Sequence, residues 1–243
     1  MTAAKVNAVL LDIEGTTTPI AFVYEVLFPF AHQHAKEFIE QHRDSADVRR
    51  DIAGLKDDYL ADVAAGNEPP SWRDEPEDSW PESVTTYVQW QIKQDRKSTA
   101  LKSLQGKIWE AYYLNGRLRG QVFPDVPAAF ARWRKQAKRI FIYSSGSILA
   151  QKLLFAHTNY GDLSGYIEDY FDTTSGPKRA PASYQSIAQK IALSAGEILF
   201  LSDVTAELDA ARSAGMQTKL CVRPGNAEAK TTDHPIIHTF DVL

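Results

Sequence analysis

The chain has 243 residues, of which 44% are hydrophobic and 24% charged, and its formal net charge is -4. That length supports a buried hydrophobic core, and the acidic balance lacks the surplus of Lys and Arg that is typical of nucleic-acid binders. A single cysteine excludes an internal disulfide, and with no signal region and no uncharged run of about 18 residues we expect a cytoplasmic protein that does not bind membranes.

The first predicted element is a short apolar strand at residues 8–11 that ends in two carboxylates. The sequence continues as DIEGTTTP, so Asp12 follows the strand directly and Glu14 comes two residues later. If the chain stays extended, both side chains lie on the same side. Paired carboxylates can serve as nucleophile and general acid/base, or can hold a divalent metal. A strand that ends in a solvated turn would look the same, so this motif alone leaves both interpretations open.

Helical periodicity dominates the next part of the chain, and strand signals nearly vanish there. Apolar residues recur three or four positions apart in three runs, which begin at Val48, Val84 and Leu101. The stretch 66–82 is rich in proline and acid and predicts a long surface loop. We therefore predict a helical domain at residues 21–117, inserted between residues 1–20 and 118–243 of an α/β core.

Strand and helix patterns alternate from Val122 onward, as is typical of a Rossmann-like parallel sheet. Helices are predicted to begin at Ser147, to run over 181–196 with Gly196 as the stop, and to end at Gly215. The predicted strands lie within RIFIYSS, YIEDYFD, EILFLSD and QTKLCVRPG.

Polar residues follow three of these later strands. Ser144 and Ser145 precede a helix N-terminus and could bind an anion. Lys178 lies in a polar loop, where its ammonium could offset phosphate charge. Asp203 ends a strand, and beside Asp12 it would suit Mg²⁺. Each of these residues also has a simpler structural explanation. The serines could cap the helix, and Lys178 could be an ordinary solvated lysine. Glu207, four residues after Asp203, could interact only with the helix dipole.

Four parts of the chain, each after a predicted strand, resemble in order the four motifs of the haloacid dehalogenase superfamily. They are LLDIEGTTTP, IFIYSSGS, Lys178 and LFLSDVTAE. Together with VRPGN at residues 222–226, they make essentially the whole chain similar to the enolase-phosphatase family of methionine salvage. Most of the superfamily has Asp where this chain has Glu14, and this departure narrows the resemblance to that family.

The resemblance implies a core of the haloacid dehalogenase type with an inserted all-helical cap. The family's small-molecule substrate is 2,3-diketo-5-methylthiopentyl-1-phosphate, which is enolised and then dephosphorylated to an acireductone. Ser144 and Ser145 would bind its phosphate, and Lys178 would steady both the phosphate and the nucleophile. The resemblance implies no obligate protein partner and favours a monomer.

Three acidic residues would carry the remaining roles, with one Mg²⁺ ion per chain. By the resemblance, Asp12 accepts the phosphoryl group as an aspartyl phosphate and also binds the metal. Glu14 protonates the leaving oxygen, later activates water, and binds the metal through its side chain or its backbone carbonyl. Asp203 is the remaining metal carboxylate.

Two other functions stay open from the sequence. A general small-molecule phosphatase of the same superfamily would share every catalytic residue and differ only in the specificity of its cap. A non-catalytic phosphate-binding module would use Asp12 only to bind Mg²⁺ or to become phosphorylated, and would have little use for Glu14 and a large cap. A dehalogenase would need neither the second acid nor the metal site.

Overall fold

The computed structural model describes residues 4–73, 79–96, 98–226 and 232–243. The strands are β1 (Ala8–Leu11), β2 (Arg139–Tyr143), β3 (Asp169–Phe171), β4 (Ile198–Ser202), β5 (Gln217–Cys221) and β6 (Ile236–Ile237). The α-helices are α1 (Phe28–Gln41), α2 (Ala46–Ala64), α3 (Trp80–Lys93), α4 (Thr99–Leu114), α5 (Val126–Lys135), α6 (Ile148–Ala156), α7 (Pro181–Lys190) and α8 (Thr205–Ser213).

All six strands form one parallel sheet in the order β3-β2-β1-β4-β5-β6. β1 lies inside the sheet, where Leu11 stands opposite Ile142 and Leu201. Every residue of β1 is buried, as expected for an apolar strand that is covered on both faces. The predicted α/β fold is confirmed. The sequence did not predict β6, because a two-residue strand is too short to show a pattern.

Helices α7 and α8 cover one face of the sheet. Leu10, Phe141 and Phe200 occupy the same register position on three neighbouring strands. They belong to one buried cluster that also contains Tyr184 of α7 and Leu208 of α8. This face therefore carries a hydrophobic core up to the edge where the strands end.

Helix ends follow two of the three predictions. The hydroxyl of Ser147 accepts the N–H of Ala150 at the start of α6, and Gly215, with φ +93°, follows α8. The predicted end of α7 at Gly196 is wrong, because the helix stops at Lys190. Apolar periodicity outlasts the helix there, since Leu193 still packs against the core cluster.

The chain divides into two compact units. One contains the described residues up to 23 and from 119 onward, and the other spans residues 24–118 and holds α1 to α4. The described residues of the helical unit include no strand, and Leu55, Val84 and Leu104 are fully buried in it. The domain boundaries given by the sequence, 1–20 with 118–243 and 21–117, stay a prediction.

The loop predicted at residues 66–82 extends too far, because residues 80–82 belong to a helix. Helix α3 begins at Trp80 with Pro81 in its first turn, where proline is tolerated because that N–H needs no helical partner. Residues 74–78 of this prediction lie outside the described residues. Among the helices that are described, none combines the length and the apolar character needed to cross a membrane.

Candidate active site

Neighbouring strands bring three polar side chains together at the carboxyl end of the sheet. One position beyond the last paired residues of β1, the register places Asp12 between Tyr143 of β2 and Ser202 of β4. The backbone N–H of Asp12 donates to the carbonyl of Leu201 at 3.0 Å, so the ladder reaches this position. Because side chains alternate along a strand, all three lie on the face that α7 and α8 cover.

Asp12 is buried, and both of its carboxylate oxygens accept hydrogen bonds. Oδ1 accepts from Nζ of Lys178 at 2.6 Å and from the N–H of Ile13 at 2.8 Å. Oδ2 accepts from the hydroxyl of Ser202 at 3.2 Å. Donors from three separate segments therefore fix the orientation of this carboxylate.

Lys178 joins two carboxylates that are distant in sequence. Its Nζ lies 2.6 Å from Oδ1 of Asp12 and 2.7 Å from Oε2 of Glu207, and its side chain is only 10% exposed. Burial lowers the pKa of Lys178, but the two carboxylates outweigh burial and hold that pKa above its usual value. The ammonium is therefore charged throughout the neutral range.

Three hydroxyls hold the backbone that carries Lys178. The consecutive carbonyls of residues 176–178 each accept one hydrogen bond from a buried side chain. The donors, in that order, are Tyr143 at 2.8 Å, Ser183 at 2.8 Å and Tyr184 at 2.7 Å. The position of the lysine is thus set by packed residues of β2 and α7.

Glu207 is a member of this site whose role the sequence left open. It lies in the first turn of α8 and pairs with Lys178, and its Oε2 lies 3.1 Å from the hydroxyl oxygen of Ser202, whose single proton it shares with Asp12. Burial raises the pKa of Glu207 to about 7, with the Asp12 carboxylate adding to the rise and Lys178 opposing it. In the sequence, Glu207 is marked as a candidate by its spacing of four residues from Asp203. No local pattern identifies Lys178 as its partner.

Asp203 lies against Gly15, in the segment that follows Asp12. The backbone of Gly15 has φ +66°, and a Cβ on this residue would lie 2.3 Å from Oδ2 of Asp203. Glycine is therefore required both by the backbone and by the nearby carboxylate. Burial raises the pKa of Asp203 to about 7, and the negative charge of Asp12 adds to the rise.

The chain turns sharply after Asp12. The N–H groups of residues 16–18 all donate to the carbonyl of Ile13, at 2.9 to 3.2 Å. The chain already bends at Ile13, and the expectation that Glu14 lies on the side of Asp12 stays a prediction. Glu14 lies within the turn, half-buried, and bridges to Thr18. Its catalytic role stays a prediction.

The two predicted phosphate-binding serines follow β2 at the same end of the sheet. Ser144 is buried, and its hydroxyl accepts the N–H of Gly146 at 3.2 Å, whereas Ser145 is exposed. Within the part of the chain that the structure describes, neither serine donates to Asp12. Their role in binding phosphate stays a prediction.

The charges in this cluster are unequal. As far as the structure describes the chain, the carboxyl groups of Asp12, Asp203 and Glu207 face one ammonium, that of Lys178, so a divalent cation would offset the excess of negative charge when all three are ionised. Asp12 and Asp203 offer hard oxygen ligands, and Mg²⁺ commonly uses one or two carboxylates together with phosphate oxygens and water. Among the described residues, no three His, Cys, Asp or Glu side chains form a group that could hold a metal ion by themselves.

A buried aspartate that follows an inner strand of a parallel sheet and pairs with a lysine suits phosphoryl transfer. The model of the haloacid dehalogenase-like hydrolases matches residues 6–215, so the chain belongs to that class of enzymes. A crystal structure of a dehalogenase has the same fold, with a TM-score of 0.53 at 14% identity over 98% of this chain and 95% of that one.

Proteins that are more similar to this chain identify its family within that class. Enolase-phosphatase E1 of Synechococcus elongatus is 47% identical over 239 residues, which are 98% of both chains. That of Pseudomonas syringae pv. syringae is 45% identical over 98% of this chain and 97% of its own. The crystal structure of the UTR4 protein of Saccharomyces cerevisiae is 33% identical, with a TM-score of 0.80 over 98% of this chain and all of that one. The chain belongs to the enolase-phosphatase family, and it is a phosphatase.

Proposed function

We propose that the chain converts 2,3-diketo-5-methylthiopentyl-1-phosphate to an acireductone in methionine salvage, by enolisation followed by hydrolysis of the phosphate. The observation that carries this proposal is the contact between the buried carboxylate of Asp12 and the ammonium of Lys178. Relatives named enolase-phosphatase that match over nearly the full length support the same two-step activity. A cytoplasmic location fits the single cysteine, Cys221, which is a buried free cysteine.

In the first half of the hydrolysis, Asp12 attacks the phosphorus atom. A bond forms between its carboxylate oxygen and phosphorus, and the bond from phosphorus to the leaving oxygen breaks. Glu14 gives that oxygen a proton. Lys178 offsets the repulsion between the carboxylate and the phosphate, and Ser144 and Ser145 bind phosphate oxygens.

The second half regenerates Asp12. A water molecule attacks the phosphorus atom of the aspartyl phosphate, the bond from phosphorus to the Asp12 oxygen breaks, and Glu14 takes the proton of the water. Glu207 and the three hydroxyls that donate to the carbonyls of residues 176–178 keep Lys178 in place during both steps.

Asp12 and Asp203 would hold one Mg²⁺ ion, with Glu14 contributing its side chain or its backbone carbonyl. The excess of negative charge in the cluster supports a divalent cation at this position. When bound, the ion supplies positive charge that stabilises the phosphoryl group during transfer.

The direct test supplies 2,3-diketo-5-methylthiopentyl-1-phosphate with Mg²⁺ and follows both released phosphate and the ultraviolet absorbance of the enol. We expect an enol intermediate that precedes phosphate release, and an acireductone as product. Equal turnover of many sugar phosphates, with no acireductone formed from the diketo phosphate, would instead identify a general phosphatase.

Two variants test the assigned roles. Asp12→Asn should abolish phosphate release and leave no covalent phosphoenzyme, whereas Glu14→Gln should accumulate an aspartyl phosphate that hydrolyses slowly. Asp169→Asn is the matched control, because this exposed carboxylate lies at the opposite end of a strand of the same sheet. Unchanged turnover by Asp12→Asn would refute the nucleophile, and normal hydrolysis in Glu14→Gln would show that another group activates water.

A further inference from the structure

The VRPGN motif at residues 222–226 has two polar side chains that reach the turn after Asp12. Nδ2 of Asn226 donates to the carbonyl of Gly15 at 2.9 Å. Nε of Arg223 donates to the carbonyl of Thr16 at 3.1 Å. Two consecutive carbonyls of the turn are therefore held by one motif that lies more than 200 residues away in sequence.

The side-chain amide of Asn226 can face the turn in only one orientation. Its Nδ2 also donates to the carbonyl of Cys221 at 3.2 Å. Both neighbours are acceptors, so the nitrogen and not the oxygen must point toward them. A Cβ on Gly15 would lie 3.1 Å from this nitrogen, so glycine also permits the close approach.

Arg223 is itself firmly held. Its side chain is 3% exposed, and Nη1 donates to Oδ2 of Asp125 at 2.8 Å and to the carbonyl of His238 at 3.0 Å. Its guanidinium lies 4.2 Å from the ring centroid of Phe240 and 4.8 Å from that of Phe123. The hydrogen bond from Arg223 to the turn thus comes from an anchored donor.

Glu14 lies between backbone groups that are fixed on both sides. On its N-terminal side, the carbonyl of Ile13 accepts the N–H groups of residues 16–18. On its C-terminal side, the N–H of Gly15 donates to the carbonyl of Thr18 at 2.8 Å, and its carbonyl accepts from Asn226. From outside the turn, the VRPGN side chains hold the carbonyls of Gly15 and Thr16, the two that follow Glu14 most closely, and the N–H of Phe123 holds that of Thr17 at 2.9 Å.

We propose that Asn226 and Arg223 are positioning residues that hold the backbone of Glu14, and that they act on proton transfer rather than on phosphate binding. This inference rests on the proposed function. Glu14 gives a proton to the leaving oxygen and takes one from the attacking water, so a displaced Glu14 slows both steps. Phosphate binding depends on other groups, which these two residues do not contact.

The test compares Asn226→Ala and Asn226→Asp with wild type, using the diketo phosphate and saturating Mg²⁺. We expect kcat to fall by about 10-fold to 100-fold, because a shift of about 1 Å in a catalytic group can cost about 10²-fold. KM should stay within about twofold. In acid-quenched time courses followed by intact mass, the aspartyl phosphate should both form and decay more slowly than in wild type, because Glu14 serves both steps.

Asn7→Ala is the matched control. Asn7 is half-buried like Asn226, and its Nδ2 donates to Oε1 of Glu197 at 2.6 Å, near the opposite end of β1. We expect wild-type kcat and a wild-type time course of phosphoenzyme from this variant. A third variant, Arg223→Lys, keeps the charge but loses the Nε donor and should behave like Asn226→Ala.

The outcomes separate the two proposals. If wild type releases phosphate without any aspartyl phosphate, the proposed mechanism fails. If wild type forms the intermediate and Asn226→Ala matches Asn7→Ala in kcat and phosphoenzyme time course, the positioning role is overturned. A raised KM at unchanged kcat would also overturn it, because it would indicate a binding role. Should Arg223→Lys not fold, the two Asn226 variants decide the matter.

Discussion

Nζ of Lys178 lies 2.7 Å from Oε2 of Glu207, and both side chains are about nine-tenths buried. Glu207 therefore fixes the ammonium that contacts the catalytic carboxylate. We expect Glu207→Gln, which keeps the shape and removes the charge, to lower kcat by about 10-fold to 100-fold because the ammonium shifts. Steady-state kinetics on the diketo phosphate would measure this.

Glu168→Gln is the control for that variant. Glu168 pairs with Arg139 through Nε at 2.8 Å, at the amino end of β2 and away from the site. Its kcat should equal that of wild type. A normal kcat in Glu207→Gln would mean that Asp12 and the hydroxyls bound to the backbone of residues 176–178 suffice to hold Lys178.

Asp203→Asn should make the metal-free protein more stable and less active. The substitution removes one of three carboxylates that face a single ammonium, and burial with the charge of Asp12 already raises the pKa of Asp203 to about 7. In the presence of EDTA at pH 8 we expect the free energy of unfolding to rise by about 1–4 kcal/mol. Denaturant titrations monitored by circular dichroism would measure it.

Added Mg²⁺ should reverse this order of stability. Wild type should gain stability with Mg²⁺ concentration, since a ligand of the folded state alone stabilises it, whereas Asp203→Asn should gain little. A variant that is less stable than wild type in EDTA would show that the carboxylate is well compensated without a cation.

Tyr184→Phe should impair the enzyme through the Lys178 loop. The hydroxyl of Tyr184 is the donor to the carbonyl of Lys178 at 2.7 Å, and its loss leaves that carbonyl without this partner. We expect a loss of about 1–3 kcal/mol in the free energy of unfolding, together with a reduced kcat.

Tyr170→Phe is the control for Tyr184→Phe, because it removes a buried tyrosine hydroxyl without removing a hydrogen bond. Tyr170 is also buried, and its hydroxyl has no hydrogen-bond partner among the described residues. Its removal should cost little stability and leave kcat unchanged. Equal effects of the two substitutions on kcat would contradict a role for the Tyr184 hydrogen bond.

Asp125 should make stability depend on pH in the acid range. Burial alone would raise the pKa of Asp125, but the N–H of Phe240 and the guanidinium of Arg223 outweigh burial and lower it. A lowered pKa in the folded state means that the stabilisation is complete above the unfolded-state pKa of 3.8 and is lost as pH falls below it.

Asp125→Asn should therefore destabilise the protein by about 3–5 kcal/mol near pH 7, because it leaves Arg223 buried without its carboxylate. The difference from wild type should be constant from pH 8 to about 5 and shrink below about pH 4. Asp162→Asn is the control, since Asp162 is exposed and, within the described chain, its carboxylate accepts hydrogen bonds from the nearby Ser164 rather than from a buried arginine. A difference that grows on acidification would refute the role of the Asp125 charge.

Local patterns determined where the strands and most helix starts lie. The apolar run at residues 8–11 predicts a strand that delivers Asp12 to the end of the sheet, and similar runs do so for Ser144 and Asp203. Ser147 and Gly215 marked helix ends because their effects are local, one through a side-chain oxygen and one through a positive φ. The end of α7 was predicted wrongly, because apolar spacing reflects burial and not helical hydrogen bonds.

Only the tertiary structure decided which distant groups meet. The contact between Lys178 and Asp12 joins residues 166 positions apart, and that between Asn226 and Gly15 joins residues 211 positions apart. Strand order and register bring these segments together, and both depend on packing of the whole sheet. The sequence by itself thus determined the chemistry that each strand end offers, whereas the fold decided the partners of Lys178 and of the turn that holds Glu14.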